Sequence, residues 1–214
     1  MSLRFYEDEH KYFFKNRELS GITSVIGREL GISYPSHVPH IQKAMLRGSA
    51  IHKEVEDELN GLDRATDFEA RWVLDRLYTR YPQEKFSYLP EFLVSDFRLF
   101  ASSIDILVVE RGSDNVVLID IKTGVFKQTY CEWQLGIYDL FLRNCIGEVN
   151  ATHRVYNTKV FQDFPVLIKD NKRCQDLLDK HSDLSPSFGL EDIATDLDKR
   201  EVYNKYLDVR SNVF

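Results

Sequence analysis

The stretch Ser103-Ile-Asp-Ile-Leu-Val-Val-Glu-Arg-Gly-Ser-Asp-Asn-Val-Val-Leu-Ile-Asp-Ile-Lys122 decides the fold. Two apolar runs flank the turn residues Arg111-Gly-Ser-Asp114, which predicts a β-hairpin. A turn closed with Glu110 opposite Asn115 sets Asp105 directly opposite Asp120. Side chains alternate along a strand, so Asp105, Leu107 and Val109 share one face, as do Val116, Leu118, Asp120 and Lys122. Apolar residues on both faces mark a central strand pair covered by two layers, where a charge needs a partner or a task. Facing carboxylates repel, and a cation between them removes the repulsion. Oxygen ligands favour magnesium or manganese. The competing reading is a wet surface hairpin with Asp120 and Lys122 as an ordinary ion pair.

Upstream, Arg47-Gly-Ser-Ala-Ile-His-Lys-Glu-Val-Glu56 predicts a helix, with Ala44, Ile51, Val55 and Leu59 as its apolar stripe and Asn60-Gly61 as its stop. Gly48 lies one turn before His52. A glycine inside a helix costs about 1 kcal/mol relative to alanine, so its presence signals close approach of a backbone or a ligand. His52 borders the stripe and reads either as a hydrogen-bonded core histidine or as an inward-pointing ligand. Downstream, Tyr130 to Arg143 has helical spacing, with Gln134, Tyr138 and Phe141 on one side beside Trp133, Ile137 and Leu140. Taken alone, Tyr138 reads as core and Gln134 as surface.

The order Gly-x-x-x-His, Asp, Asp-x-Lys-Thr-Gly, Gln-x-x-x-Tyr resembles the RecB-like, phage-type exonuclease branch of the PD-(D/E)XK nuclease superfamily. Gly48 and His52, Asp105, Asp120-Ile121-Lys122-Thr123-Gly124, and Gln134 with Tyr138 carry the resemblance, which spans about residues 5 to 140. Gly21-Ile-Thr-Ser-Val-Ile26 is similar to the Pro-Ser-Val-Thr segment that precedes the histidine helix in phage and mitochondrial genome maintenance exonucleases, with Gly-Ile in place of the proline. Ala101-Ser102-Ser103 stands where many members carry a glycine. Neither departure removes a ligand.

The resemblance implies a restriction-endonuclease-like α/β core, a mixed sheet flanked by helices. It implies a metal-dependent DNA exonuclease of recombination, repair or phage DNA processing. Asp105, Asp120 and Lys122 are then catalytic. His52, Asp105, Asp120, the carbonyl of Ile121 and Glu91 are the expected ligands of one magnesium or manganese ion. Glu91 reads equally as an exposed charge after Pro90. Gln134 and Tyr138 position the strand or support the site. Some members hold an iron–sulfur cluster on four cysteines; Cys131, Cys145 and Cys174, with no Cys-x-x-Cys pair, predict none here. The expected partner is single-stranded or end-containing DNA, with a helicase or recombination protein supplying any unwinding. A binding module that keeps the fold without catalysis is the reading from another class.

A net charge of −6 runs against phosphate binding in general. The acidity is concentrated in Glu54 to Asp57 and in the tail from Asp176 to Asp208, while Lys43, Arg47, Lys122, Lys127 and Arg143 lie near the motifs and suit a local basic groove. Arg47 and Lys127 are the substrate-binding candidates of that group. Tyr130, Trp133 and Tyr138 read either as base-stacking surfaces or as core.

With 214 residues, 43% of them hydrophobic, one domain over 1–214 is expected, ending in an acidic helical segment from about residue 169. No apolar run reaches membrane-spanning length and the N-terminus reads as no leader, so a cytoplasmic protein is expected, and three thiols suit that compartment. Strands are expected near Arg4 to Phe14, Ser87 to Val94, Phe97 to Val109, Val116 to Lys122, Ala151 to Tyr156 and Lys159 to Val166. Helices are expected near Ile41 to Leu59, Asp67 to Tyr81 and around Gln134, with Thr23 to Ile26 leading into the first.

Overall fold

The apolar runs and turn signals fold into fourteen elements in a computed structural model that describes residues 3–6, 9–32 and 38–211. In chain order they are β1 (Leu3–Tyr6), β2 (Lys11–Phe14), β3 (Arg17–Gly21), α1 (Ile22–Glu29), α2 (Pro39–Leu59), α3 (Phe68–Arg80), β4 (Phe86–Ser95), β5 (Phe100–Glu110), β6 (Asn115–Lys122), α4 (Gln128–Ile146), β7 (Asn150–Asn157), β8 (Gln162–Pro165), α5 (Asn171–Lys180) and α6 (Asp196–Ser211). The eight strands form one mixed sheet flanked by the helices, an α/β fold. Residues 7 and 8, inside the first expected strand, and the two N-terminal residues lie outside the described residues.

The strand order is β1-β2-β3-β5-β6-β7-β8, with β4 paired to β5. The central hairpin has the expected register, Ile106 opposite Ile119 and Val109 opposite Val116. β4 covers one edge of β5 from Ala101 to Glu110. The other edge is shared: β6 runs antiparallel along Ile106 to Val109, and β3 runs parallel beside Phe100 and Ala101. The carboxyl ends of β3 and β6 therefore converge on Ser102 to Asp105, where the ladder opens.

The two faces of the hairpin build separate cores. Ile106, Val108, Val117, Ile119 and Ile121 pack with Ile51 and Val55 of α2 and with Ala70, Val73, Leu74 and Leu77 of α3. Leu107, Val109, Val116 and Leu118 pack against the layer that holds α1, α4, α5 and α6. Each such side chain, once buried, contributes about 1.5–3 kcal/mol.

Several elements differ from the sequence expectation. Thr23 to Ile26 is helical, because Ile22, Val25 and Ile26 have i, i+3, i+4 spacing and all three are buried. β3 follows β2 through the tight Lys15-Asn16 turn, with Lys15 at φ 55°. Phe97 to Leu99 is a turn before β5, closed by Asp96 Oδ1 accepting from the amides of Arg98, Leu99 and Phe100. The C-terminal segment is two helices separated by a 3₁₀ turn at Ser182–Leu184 and an irregular stretch. Ala44 is exposed, so the buried stripe of α2 begins at Ile51. No helix among the described residues is long and apolar enough to cross a membrane.

Candidate active site

Three neighbouring strands each bring one carboxylate to the same row. Glu91 of β4 falls between the Pro90–Ile106 and Phe92–Ile104 pairs, so it stands opposite Asp105 of β5. Asp105 and Asp120 occupy the next positions after the last β5–β6 pair, Ile106–Ile119. There Asp105 takes over the ladder's work, its Oδ2 accepting from the Ile121 amide at 2.6 Å. Glu91 holds φ at 45°, a left-handed conformation that costs a non-glycine residue about 1–3 kcal/mol and clusters at functional sites. Its strand pairs on one side only, the position at which Pro90 is tolerated.

α2 delivers His52 to the open end of the ladder. Nε2 lies 3.2 Å from the carbonyl of Ile121, and Nδ1 lies 3.6 Å from Asp105 Oδ2 and 4.0 Å from Glu91 Oε1. Donation from Nε2 to the carbonyl aims the Nδ1 lone pair at two carboxylates, an arrangement stabilised by a cation or by a proton on a carboxylate. The helix approaches closely because position 48 is glycine: a Cβ there would sit 3.0 Å from Thr123 Oγ1.

Burial sets the electrostatics. It pushes Asp105 up to about 8, with repulsion from Asp120 adding to it. Burial, and then Asp105, pushes Glu91 up to about 7. His52 is lowered by burial, with Glu91 pulling the other way. For Lys122 burial favours the neutral amine, but Asp120 and Asp105 outweigh it and hold the ammonium above its ordinary range.

Lys122 Nζ donates to Asp120 Oδ1 at 2.9 Å and to Gln134 Oε1 at 2.8 Å, and Gln134 Nε2 donates to the Tyr138 hydroxyl at 2.8 Å. Its ammonium also lies 5.6 Å from the ring centroid of Tyr130. Gln134 is 5% exposed and Tyr138 3% exposed, so both stand behind Lys122. Of the two readings open for Tyr138, its burial favours core and support.

These residues share a cleft of about 710 Å³. His52, Glu91, Asp105, Asp120, Lys122, Gln134 and Tyr138 are brought together in it. Arg47 and Lys127 do not line it. Arg47 is drawn to Glu69 of α3, and Lys127 is exposed at the N-terminus of α4. Arg143 pairs with Asp139 and Glu148 instead. Sequence reasoning missed Arg4 of β1 and Lys205 of α6, which do reach the cleft. Lys205 carried no signal, because it lies in a tail that reads as a solvated acidic helix.

The donor set fits a divalent cation. One ligand atom from each of His52, Glu91 and Asp105 lies within 4.8 Å of the other two. Asp120 stands beside them with its Oδ2 buried, ion-paired to Lys122 at 2.8 Å and without a hydrogen bond. Two to three carboxylates with one imidazole suit magnesium or manganese. No protein-family model matches the chain and no curated protein matches it.

Proposed function

We propose that the chain is a metal-dependent deoxyribonuclease of the PD-(D/E)XK kind, an exonuclease that hydrolyses phosphodiester bonds in DNA recombination, repair or phage DNA processing. The observation that carries this reading is the row Glu91, Asp105, Asp120 across three strands, with Lys122 at its end and His52 above it. His52, Glu91, Asp105 and Asp120 would hold magnesium or manganese. When bound, such an ion supplies Lewis-acid stabilisation of the phosphate and acidifies a water molecule.

The chain's own part follows from its hydrogen bonds. Lys122, favoured as an ammonium by Asp120 and Asp105 in the metal-free fold, would orient the attacking water or neutralise the charge that builds on the phosphate. Lys122 Nζ donates to Asp120 and Gln134 and lines the cleft, where it would meet the attacking water or a phosphate oxygen. Gln134, held by Tyr138, fixes the ammonium in place. The water oxygen would bond to phosphorus in line as the bond to the leaving oxygen breaks, the water giving up a proton to solvent and the leaving oxygen taking one from it. Three buried free thiols support a reducing, cytoplasmic setting.

The test is cleavage of end-labelled linear DNA beside covalently closed circles, with Mg²⁺, Mn²⁺ or EDTA and Lys122→Ala as control. Metal-dependent loss of linear DNA alone, absent in the variant, is expected. Nicking of closed circles would make the enzyme an endonuclease, and a folded, metal-loaded protein that cuts neither would be a binding module.

A further inference from the structure

One ridge of α3 carries Phe68, Trp72, Arg76 and Arg80, four residues at i, i+4, i+8 and i+12. The ridge faces the β7–β8 hairpin. Its first half is aromatic: the Phe161 ring packs edge-on at 5.3 Å from Phe68 and 5.8 Å from Trp72. Phe68 is nonetheless 72% exposed and Phe161 41% exposed. Phe161 holds φ at 52°, an unfavourable conformation for a bulky residue.

The second half is cationic. Asp163, its side chain 1% exposed, receives Arg76 at 3.2 Å, Arg80 at 3.3 Å and Arg154 at 2.5 Å. Three guanidinium groups meet one carboxylate, which leaves two positive charges in excess. A structural clamp between helix and hairpin needs one. Tyr156 stands opposite Asp163 in register, on the same face as Arg154, fully buried, and its hydroxyl has no partner. Half-exposed arginines in excess of their one carboxylate are the chemistry of a site for a phosphate oxygen.

This ridge is tied to the cleft. Glu69, in the first turn of α3, accepts from Arg47 of α2 and from Thr158, and the Thr158 amide donates to the Lys122 carbonyl at 2.9 Å. The aromatic half thus lies nearer the catalytic strand and the arginine half farther away, over about 18 Å of helix. We propose that the α3 ridge and the β7–β8 hairpin form a track for an unpaired DNA strand leaving the cleft. Bases stack on Phe161 and Phe68, and a backbone phosphate sits between Arg76 and Arg80. The proposal rests on the nuclease reading for its substrate, but its test does not depend on cleavage.

The test is fluorescence anisotropy in EDTA with a labelled single strand of about 20 nucleotides and the matching duplex, using the full chain. The Arg76→Gln/Arg80→Gln protein is expected to bind the single strand about tenfold more weakly. Its slope of log K against log salt falls by about 0.7, the value for one phosphate of a single strand. Phe161→Gly suits the positive φ and so keeps the fold, and is expected to lose fivefold or more in affinity with little change in slope. Turnover of bis(p-nitrophenyl) phosphate with Mn²⁺ stays at the wild-type rate in both. Wild-type affinity in Phe161→Gly, duplex bound as well as single strand, or no strand binding by the wild type would each overturn the track. Strand binding with these losses, in a protein that hydrolyses no phosphodiester, would overturn the nuclease reading and leave the track standing.

Discussion

Glu91 and Asp105 stand opposite each other on adjacent antiparallel strands, and Glu91 does so with φ at 45°. Two partly buried carboxyls face one another, one of them at a backbone conformation that disfavours any side chain. Local strain and like-charge repulsion coincide where the residues proposed to hold a cation lie. Stability is lower there in exchange for a prearranged site.

Replacing Glu91 by glycine removes both the strain and one carboxyl. The net gain in the metal-free protein is about 1 kcal/mol after the added chain entropy of glycine, which raises Tm in EDTA by about 2–4 °C. The stabilisation that Mn²⁺ confers on the wild type shrinks in the same variant. Differential scanning fluorimetry with EDTA and with Mn²⁺ reads both effects, and a lower Tm in EDTA would contradict the strain assignment.

The raised carboxyls make metal-free stability depend on pH in a definite direction. Folded Glu91 and Asp105 keep protons to about 7 and about 8, whereas unfolded carboxyls release theirs near 4. Between those limits the folded state binds more protons, so stability falls as pH rises. His52, lowered by burial, acts in the opposite sense but is neutral in both states above about pH 7. Urea unfolding in EDTA is expected to show stability dropping between about pH 6.5 and 8, less steeply in Asp105→Asn. A flat profile would mean that these carboxyls ionise freely in the fold.

Gln134 bonds both Lys122 and Tyr138, so on the proposed function it acts through Lys122. Gln134→Leu removes the acceptor that holds the ammonium and the donor to Tyr138, so kcat is expected to fall about tenfold with KM unchanged. A change in KM alone would return Gln134 to direct contact with the strand.

Gly136 of α4 marks a packing constraint remote from the chemistry. A Cβ there would lie 2.8 Å from Cys174 Sγ and 2.9 Å from the Lys169 carbonyl. Gly136→Ala is expected to cost about 1–3 kcal/mol by forcing α5 away, more than the helix propensity it gains. Denaturant unfolding checks this, and kcat stays at the wild-type value.

The central hairpin was legible because alternation and a four-residue turn determine its register, and the register places Asp105 beside Asp120. The α/β class followed from the apolar runs on both of its faces. The motif order pointed to His52, although its Nδ1 geometry depends on a helix docking through Gly48 onto Thr123, a contact between residues 75 positions apart. Arg47 was misplaced because its partner, Glu69, sits on another helix. The φ of Glu91 has no local signature, since Pro90-Glu91 falls within the expected strand Ser87 to Val94. Phe68, Trp72, Arg76 and Arg80 were visible as letters at helical spacing, but their joint face emerged only once β8 brought Asp163 under them.

The most direct measurement of the central claim is the initial rate of hydrolysis of end-labelled linear single-stranded DNA in Mg²⁺ by wild type and Asp120→Asn, with circular dichroism confirming that both are folded. Metal-dependent cleavage by the wild type and a loss of at least about a thousandfold in the variant are expected, since removal of one charged group of such a site costs several kcal/mol of transition-state stabilisation. An Asp120→Asn protein that cuts at the wild-type rate, or a folded wild type that cuts nothing with Mg²⁺ or Mn²⁺, would contradict it.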